Sequence, residues 1–460
     1  MPANAPHPDP AILQLGGDFF DPVRPADFPQ TVLRFRNDRA AAEIGLDGLS
    51  DAQWTQHFGR FAPLPGNLEQ PLALRYHGHQ FRTYNPDLGD GRGFLFAQFR
   101  DAAGRLMDLG TKGSGQTPYS RFGDGRLTLK GAVREILATE MLEALGVHTS
   151  RTFSVIETGE ALQRGDEPSP TRSAVLVRLN HSHIRYGSFQ RQAFHQNGPA
   201  LERLCDYVLT HLAPGARGVS PAAAVLDHAV ITGSRLAAQF MAAGFVHGVL
   251  NTDNINITGE SFDYGPWRFA PAWDAGFTAA YFDTQGLYSF GRQAEALQWN
   301  VYQLAGALRT IAPLEELRGP LEAFPQRYQS ALCTAMLARL GVQSRGSDAD
   351  AALVKALEAA LSATQMSPDR CFFDWRGGVR RAASPADAIY AGDAFAPFVA
   401  AIADHAGPAP THPYWQDDAP CTMLIDEVEA IWAPIAERDD WGPLHAKVAA
   451  IRRMGDAHRA

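Results

Sequence analysis

The spacing of hydrophobic and polar residues changes near residue 187. Before it, short runs rich in β-branched and aromatic residues predict strands over 93–100, 105–112, 152–157 and 173–179. Between the second and third of these, apolar residues at helical spacing over 129–145, followed by Gly146, predict a helix with a glycine stop. The predicted order is hairpin, helix, hairpin.

After residue 187, apolar periodicity predicts helices over 200–212, 222–243, 294–311 and 321–340. Polar or proline-rich composition predicts linkers over 343–350 and 405–413. Residues 1–70 show no clear period, which predicts an irregular arm with one helix around 51–57.

This order predicts an α+β fold of the protein-kinase-like, bilobal kind, with a β-rich N-lobe and a mainly helical C-lobe. Four segments are expected in the 460 residues. They are an N-terminal arm packed on the core (1–70), the N-lobe (71–186), a C-lobe with the candidate catalytic and metal loops (187–342) and a helical extension (343–460).

The composition, 45% hydrophobic and 20% charged, is typical of a soluble globular protein. A net charge of -9, without a run of Lys and Arg, argues against nucleic acid as a partner. No apolar run is long enough to cross a bilayer, and no secretory signal pattern begins the chain. The four cysteines lie far apart, with no CxxC pair and no nearby histidines at metal-ligand spacing, so neither a zinc site nor a disulfide framework is expected. We therefore expect a cytoplasmic protein without a membrane partner.

The strongest chemical signal is a histidine-led loop, HGVLNTDNINI at 247–257, followed by DYG at 263–265. Kinase-like enzymes use such a loop, whose Asn binds a metal together with the carboxylate of an Asp-x-Gly. Asn254 and Asp263 offer the oxygen ligands that a hard divalent cation prefers. The alternative is an Asx-rich turn, because Asn and Asp also favour turns for local reasons.

Other residues are placed for phosphate binding. Lys112 ends the second predicted strand and Glu135 lies on the following helix, as in the kinase pair that directs an ammonium group at phosphate. The alternative for this pair is two exposed surface charges. Glycine-rich turns let backbone amides approach an anion, and arginines offer planar donors, although each turn alone is weak evidence. These stretches are 89–92, 113–115 and 123–126, with Arg178 and Arg185.

One position departs from an ordinary kinase. Two residues after the loop histidine, where a kinase has the aspartate that accepts the hydroxyl proton, this chain has Val249. A valine cannot accept a proton, so ordinary phosphorylation would lack its base. Asp253 is the nearest spare carboxylate, and it could serve if the α-phosphorus of ATP faced the nucleophile.

Four stretches together resemble the selenoprotein O (SelO or YdiU) family of protein-kinase-like protein adenylyltransferases: DLGTKGSGQTPYSRFGDGR at 108–126, HSHIRYG at 181–187, HGVLNTDN at 247–254 and DYGP at 263–266. The resemblance implies that ATP binds in an orientation flipped relative to kinases, with Mg²⁺ or Mn²⁺, and that AMP is transferred to Ser, Thr or Tyr hydroxyls of protein substrates. It implies Asn254 and Asp263 as metal ligands and Asp253 as the proton acceptor. The residues implied to hold the nucleotide are Gly89, Gly91, Arg92, Lys112, Asp124, Gly125, Arg178, Arg185 and Asp263, with Glu135 in support.

Three other functions stay open: UMP transfer from UTP, residual kinase activity, and an ATP-binding pseudokinase scaffold without catalysis. Val249 argues against the kinase, and the retained lysine–glutamate pair and metal ligands argue against the scaffold. Family members often carry a cysteine after the DYG segment, but residues 274–290 contain none, so a redox switch of that kind is not expected. The protein targets and the oligomeric state do not follow from the sequence.

Overall fold

The computed structural model describes residues 5–165 and 167–460. Strands lie mainly in the first 180 residues, and helices dominate the rest. The strands are β1 (Phe20–Pro22), β2 (Val32–Arg36), β3 (Leu72–Leu74), β4 (Gly78–Gln80), β5 (Thr83–Asn85), β6 (Leu95–Arg100), β7 (Leu106–Lys112), β8 (Leu127–Thr128), β9 (Arg151–Leu162), β10 (Thr171–Asn180), β11 (Phe245–Val246) and β12 (Arg268–Phe269). The helices are α1 (Asp38–Glu43), α2 (Asp51–Phe58), α3 (Leu129–Ala144), α4 (Tyr186–Phe194), α5 (Gly198–Tyr207), α6 (Pro221–Ala242), α7 (Gln293–Leu308), α8 (Leu314–Glu322), α9 (Phe324–Leu340), α10 (Ser347–Thr364), α11 (Pro368–Asp374), α12 (Asp387–Tyr390), α13 (Ala396–Ile402), α14 (Ile425–Arg438) and α15 (Gly442–Arg459).

One antiparallel sheet organises the N-terminal half, with the strand order β1-β3-β6-β7-β10-β9-β2 and with β8 paired to β10. In the β7–β10 register, Leu176 lies opposite Lys112 and Arg178 lies opposite Gly110. Because residues two apart in a strand share a face, Lys112 and Arg178 lie side by side on the same face of the sheet.

Apolar side chains bury both faces of this sheet. Helix α3 covers one face, where Leu176 and Val155 belong to the same core as Ile136. On the opposite face, residues from the N-terminal arm close a second core, in which Trp54 of α2 stacks on Phe153 at 4.7 Å between ring centroids. Lys112 and Arg178 lie on the face that α3 covers, so a charged residue of α3 can reach them.

Much of the predicted secondary structure is confirmed. The two hairpins and the helix between them correspond to β6–β7, α3 and β9–β10. The predicted helices over 222–243 and 294–311 correspond to α6 and α7. The helix over 200–212 is α5 continued by a π-helical turn, Val208–Leu212, and the one over 321–340 is the end of α8 followed by α9.

Two expectations need correction. Residues 1–70 are more regular than one helix, because β1 and β2 occupy the ends of the sheet order and α1 precedes α2. These strands have only three and five residues, which is too short for an alternation of apolar and polar residues to be recognised in the sequence. The linker expected over 343–350 is wrong from Ser347 onward, where α10 begins with Asp348 and Asp350 in its first turn, a position that favours acidic side chains.

Within residues 5–165 and 167–460, the helices lack the combination of length and apolar character needed to cross a membrane.

Candidate active site

A cavity of about 650 Å³ is lined by the sheet, by the glycine-rich loop 113–126 and by the histidine-led loop. Seven basic and four acidic side chains line it, so it concentrates positive charge in a chain whose net charge is -9. Such a cavity suits an anionic ligand of the size of a polyphosphate. The structure brings to it every predicted site residue except Glu135: Gly89, Gly91, Arg92, Lys112, Asp124, Gly125, Arg178, Arg185, Asp253, Asn254 and Asp263.

Lys112 is held between two carboxylates at the floor of the cavity. Its Nζ donates to Glu135 Oε2 at 2.7 Å and lies 2.9 Å from Asp263 Oδ1. Lys112 is 3% exposed and Glu135 is fully buried. The alternative of two exposed surface charges is therefore wrong. Glu135 reaches the lysine from α3, beneath the cavity, and its other oxygen, Oε1, lies 3.9 Å from Arg178 Nε. It therefore acts on a ligand through these two cations, without lining the cavity itself.

Asp263 is an ionised carboxylate in a special backbone conformation. Its φ of 62° lies in the left-handed region, which Asp adopts more readily than most residues. Burial alone would raise the pKa of Asp263, but the charges of Lys112, Arg178 and Arg92 outweigh it and hold the pKa well below its usual range. The carboxylate is therefore charged throughout the physiological range of pH.

Asn254 adds an amide oxygen to this carboxylate. Its Nδ2 donates to the carbonyl oxygen of Val249 at 3.1 Å, which fixes the amide and leaves Oδ1 as its acceptor. One ionised carboxylate oxygen and one amide oxygen are ligands that Mg²⁺ and Mn²⁺ prefer. The two side chains thus fit the metal ion that the sequence predicts.

Two buried arginines carry donors that the protein leaves unused. Arg178 is 4% exposed and Arg185 is 6% exposed. Nε and one terminal nitrogen of Arg178, and Nε of Arg185, have no hydrogen-bond partner within the described chain. Asp90, 3.2 Å from Arg185, and the ring of Tyr76, 4.2 Å from its guanidinium carbon, hold Arg185 in place. Unpaired buried donors are costly, so this arrangement points to an anion bound between the two guanidinium groups.

The histidine-led loop is fixed by its surroundings. His247 follows β11, and its Nε2 lies 3.0 Å from the carbonyl oxygen of Phe262. Burial lowers the pKa of His247, so the ring is neutral and serves the structure of the loop. Asn251 Oδ1 accepts from the backbone N–H of Phe81 at 3.0 Å and from the hydroxyl of Tyr288 at 2.7 Å.

Asp253 lies in the short 3-10 turn Thr252–Asn254 and is 8% exposed. Burial raises the pKa of Asp253 to about 6, although the charge of Arg185 opposes this shift. Its Oδ1 has no hydrogen-bond partner in the part of the chain that is described. Gly78 packs against it so closely that a Cβ there would lie 3.0 Å from the Asp253 Cβ. A positioned carboxylate with a free oxygen and a pKa near neutrality suits a general base.

The glycines before β6 have a structural reason of their own. A Cβ on Gly89 would lie 2.3 Å from the ring of Tyr119, and a Cβ on Gly91 would lie 2.8 Å from the carbonyl oxygen of Tyr119. These glycines therefore allow the loop 113–126 to close over the cavity. In the same loop, Gly125 has φ of 69°, which favours glycine. Their direct contact with a nucleotide stays a prediction.

Arg164 and Asp90 are among the cavity residues that sequence reasoning did not assign. Asp124 lines the cavity, and its carboxylate accepts a hydrogen bond from Arg164 Nη1 at 2.8 Å. Arg164 lies in the connection between β9 and β10. That connection contains only polar residues, glycine and proline, which indicate a loop, so the sequence offered no signal for Arg164. Asp90, which holds Arg185, lies inside the stretch 89–92 and could have been found from its two flanking glycines.

A basic cavity above a buried lysine–glutamate pair, with an amide and a carboxylate oxygen at one side, is typical of enzymes that act on nucleoside triphosphates. The chain belongs to the family of the protein adenylyltransferase SelO, whose sequence model matches residues 4–389. This confirms the resemblance seen in the motifs.

Several relatives carry the name protein nucleotidyltransferase YdiU. The protein of Gloeobacter violaceus is 43% identical over 462 aligned residues, which cover 97% of this chain and 95% of the relative. That of Synechocystis is 49% identical over 73% of this chain and 71% of its own length. That of Synechococcus elongatus is 42% identical over 97% of this chain and 95% of its own length.

The Lys112–Glu135 pair leads to a first prediction. Lys112→Ala is expected to weaken ATP binding roughly 10- to 100-fold, the loss of one charged hydrogen bond to phosphate. Glu135→Gln is expected to weaken it less, because the lysine keeps Asp263 as a partner at 2.9 Å. Calorimetric titration with ATP measures both. Unchanged affinity in both variants would contradict a phosphate-binding role for Lys112.

Proposed function

We propose that this protein transfers AMP from ATP to Ser, Thr or Tyr hydroxyls of other proteins. The observation that carries the proposal is the position of Asp253. It is a buried carboxylate with a free oxygen, in the same cavity as the unpaired donors of Arg178 and Arg185. Val249 stands where a kinase would carry its base, and a valine cannot accept a proton. The chain therefore keeps the phosphate-binding groups, but the base would be Asp253 instead of a residue at position 249.

We further propose that the fold is the bilobal fold of protein kinases. Residues 71–186 would be the N-lobe, residues 187–342 the C-lobe, residues 1–70 an arm packed on the core and residues 343–460 a helical extension. The sheet that carries Lys112, the α3 glutamate beneath it and the helices that follow support this assignment. The arm contributes the strands β1 and β2 to the sheet, which supports its packing on the core.

In this proposal ATP lies flipped relative to its orientation in kinases. The β- and γ-phosphates would bind the donors of Arg178 and Arg185 that face the cavity, because these donors are buried and have no hydrogen-bond partner among the described residues. The α-phosphorus would then face Asp253. Lys112, aimed by Glu135, would donate to a phosphate oxygen. Gly89, Gly91, Arg92, Asp124 and Gly125 would hold the nucleotide from the side of the closing loop.

The transfer itself is a substitution at phosphorus. The target hydroxyl oxygen forms a bond to the α-phosphorus, the bond from that phosphorus to the α,β-bridging oxygen breaks, and pyrophosphate leaves. Asp253 accepts the proton of the hydroxyl. Asn254 and Asp263 would hold Mg²⁺ or Mn²⁺, which supplies positive charge against the phosphates when it is bound. The protein's own arginines and Lys112 supply the rest of that charge.

Two labels on ATP test this function. The protein is incubated with a mixture of candidate protein substrates, Mg²⁺ or Mn²⁺, and ATP labelled at either the α- or the γ-phosphate. Label retained on protein from the α-position, and none from the γ-position, is the expected result. Retention of the γ-label would support kinase activity instead. Retention of neither label would support the ATP-binding scaffold without catalysis. α-Labelled UTP in a parallel reaction tests UMP transfer.

A further inference from the structure

A second group of ligand-type side chains lies outside the nucleotide cavity. His148, His181 and Glu260 each offer one nitrogen or oxygen, and these three atoms lie within 4.8 Å of one another. The rings of the two histidines are 5.2 Å apart between centroids. None of the three lines the cavity that holds Asn254 and Asp263. The group is therefore separate from the predicted nucleotide-bound metal.

Three different segments of the chain supply these residues. His148 lies between α3 and β9, His181 directly follows β10, and Glu260 lies three residues before Asp263. Backbone contacts fix their arrangement. The N–H of His181 donates to Glu260 Oε2 at 2.7 Å, and the N–H of Ser261 donates to the carbonyl oxygen of His148 at 2.9 Å.

Glu260 is the unusual member of this group. It is 2% exposed, and within residues 5–165 and 167–460 no basic side chain forms an ion pair with it. A buried carboxylate normally has a cationic partner or binds a metal ion. Nδ1 of His148 is likewise buried without a hydrogen-bond partner among the residues that the structure describes. Both features are explained if a cation lies between the three side chains.

We infer that His148, His181 and Glu260 form a binding site for a first-row divalent metal ion of the Zn²⁺ class. Two imidazole nitrogens and one carboxylate oxygen are a common protein ligand set for Zn²⁺, with water at the fourth position. Atoms bound to one Zn²⁺ at about 2.1 Å lie about 3.4 Å apart in a tetrahedron. The side chains thus need to approach by at most about 1.4 Å from the separation of 4.8 Å, shared between partners.

The surroundings offer room for the fourth ligand. His148 and His181 line a cavity of about 720 Å³, which also contains Thr258 and the basic side chains of Arg105 and Arg235. These arginines disfavour a bare cation and would favour an anionic fourth ligand. They also define the competing possibility, an anion bound without metal, which would leave the buried Glu260 without a cationic partner. The sequence predicted no zinc site, because the cysteines form no CxxC pair and have no histidines near them at metal-ligand spacing. That argument does not apply to ligands that come from three separate segments of the chain.

Such an ion would join parts of the chain that the nucleotide site depends on. It would tie the segment that carries Asp263 to the one that runs from β10 to Arg185. Its role would be to position these segments, without contact to the nucleotide. Metal binding should therefore raise the unfolding temperature of the protein in the absence of any nucleotide, by the linkage between binding and stability.

Calorimetric titration of chelator-treated protein with Zn²⁺ tests the site. Excess Mg²⁺ is present throughout, because it prefers oxygen ligands and occupies the nucleotide-side carboxylate. We expect about one tight Zn²⁺ per chain, as for a three-residue protein site. His148→Asn, His181→Asn and Glu260→Gln should each weaken binding by more than the roughly 10- to 100-fold that loss of a mere supporting partner costs.

The controls separate this site from others. His228→Ala, a histidine of the same cavity outside the group, should leave Zn²⁺ binding unchanged. Glu260→Gln keeps an oxygen for the N–H of His181, so it removes charge with little change of shape. Absence of stoichiometric Zn²⁺ binding by the unaltered protein would overturn the assignment whatever the variants do. Unchanged binding in folded variants would do so too, as would binding of inorganic phosphate but not of Zn²⁺.

Discussion

Asp263→Asn is expected to lower the rate of nucleotide transfer by at least about 10³-fold while the protein keeps its fold. The substitution removes a carboxylate whose charge is secured by Lys112, Arg178 and Arg92. Without it, one ligand of the predicted metal ion becomes neutral and weak. Asparagine is a better substitution than alanine for testing the role of the charge. It tolerates the φ of 62°, whereas alanine would add backbone strain to the loss of charge.

The same variant should separate metal binding from phosphate binding. Lys112 lies 2.9 Å and Arg178 lies 3.6 Å from Asp263 Oδ1, so both cations lose an anionic partner in the variant. ATP should consequently bind at least as tightly as before when no metal is present. Added Mg²⁺ or Mn²⁺ should no longer restore transfer. Affinity is measured by calorimetry with and without metal.

Asp274→Asn is the matched control for this experiment. Asp274 is an exposed aspartate whose side chain accepts from the N–H of Gly276, and asparagine can make the same contact. Activity should stay unchanged in this control. Near-normal transfer by Asp263→Asn with either metal would show that Asp263 does not bind the metal ion used in the reaction.

The parts of the site that the sequence predicted share a physical basis. Lys112 and Glu135 could be paired because a strand and the next helix pack together, and the register of β7 with β10 then adds Arg178 to the same face. Asn254 and Asp263 lie within one short stretch, so their proximity needs little knowledge of the fold. Local order was sufficient for the lysine–glutamate pair and for the two metal ligands, whereas the position of Arg178 depends on the pairing of two distant strands.

Contacts between distant segments could not be predicted in the same way. Arg164 binds Asp124 across two loops, and its neighbours in the sequence show only polarity. The strands β1 and β2 gain their structure from pairing with β3 and β9, and their own sequences are too short to indicate it. The fold brings together three connecting segments that are far apart in the sequence, and these segments carry His148, His181 and Glu260. Each of these three arrangements depends on tertiary packing, which the sequence pattern does not reveal.

Asp253→Asn is expected to lower the rate of transfer by a factor on the order of 10² to 10⁴, the usual contribution of a general base. Asparagine keeps the shape that packs against Gly78 but cannot accept the hydroxyl proton. ATP affinity should change little, because no phosphate donor is removed. Single-turnover measurements at saturating ATP separate the chemical step from binding. A rate within a few-fold of the unaltered protein would exclude Asp253 as the base.

The neighbour of Asp253 creates an alternative that metal titration resolves. Asp253 directly precedes Asn254, so the substitution could lower the rate by weakening the binding of the metal ion at Asn254. If it does, excess Mg²⁺ or Mn²⁺ should restore the rate of Asp253→Asn, whereas a missing base is not restored by metal.

Val249→Asp provides the complementary experiment, because it returns an aspartate to the position of the kinase base. If the γ-phosphate is held at Arg178 and Arg185, away from the nucleophile, as we propose, this variant should not transfer γ-label efficiently to protein. Strong γ-transfer would contradict the flipped orientation of ATP, since a base at position 249 can assist phosphorylation only if the γ-phosphate faces the target hydroxyl.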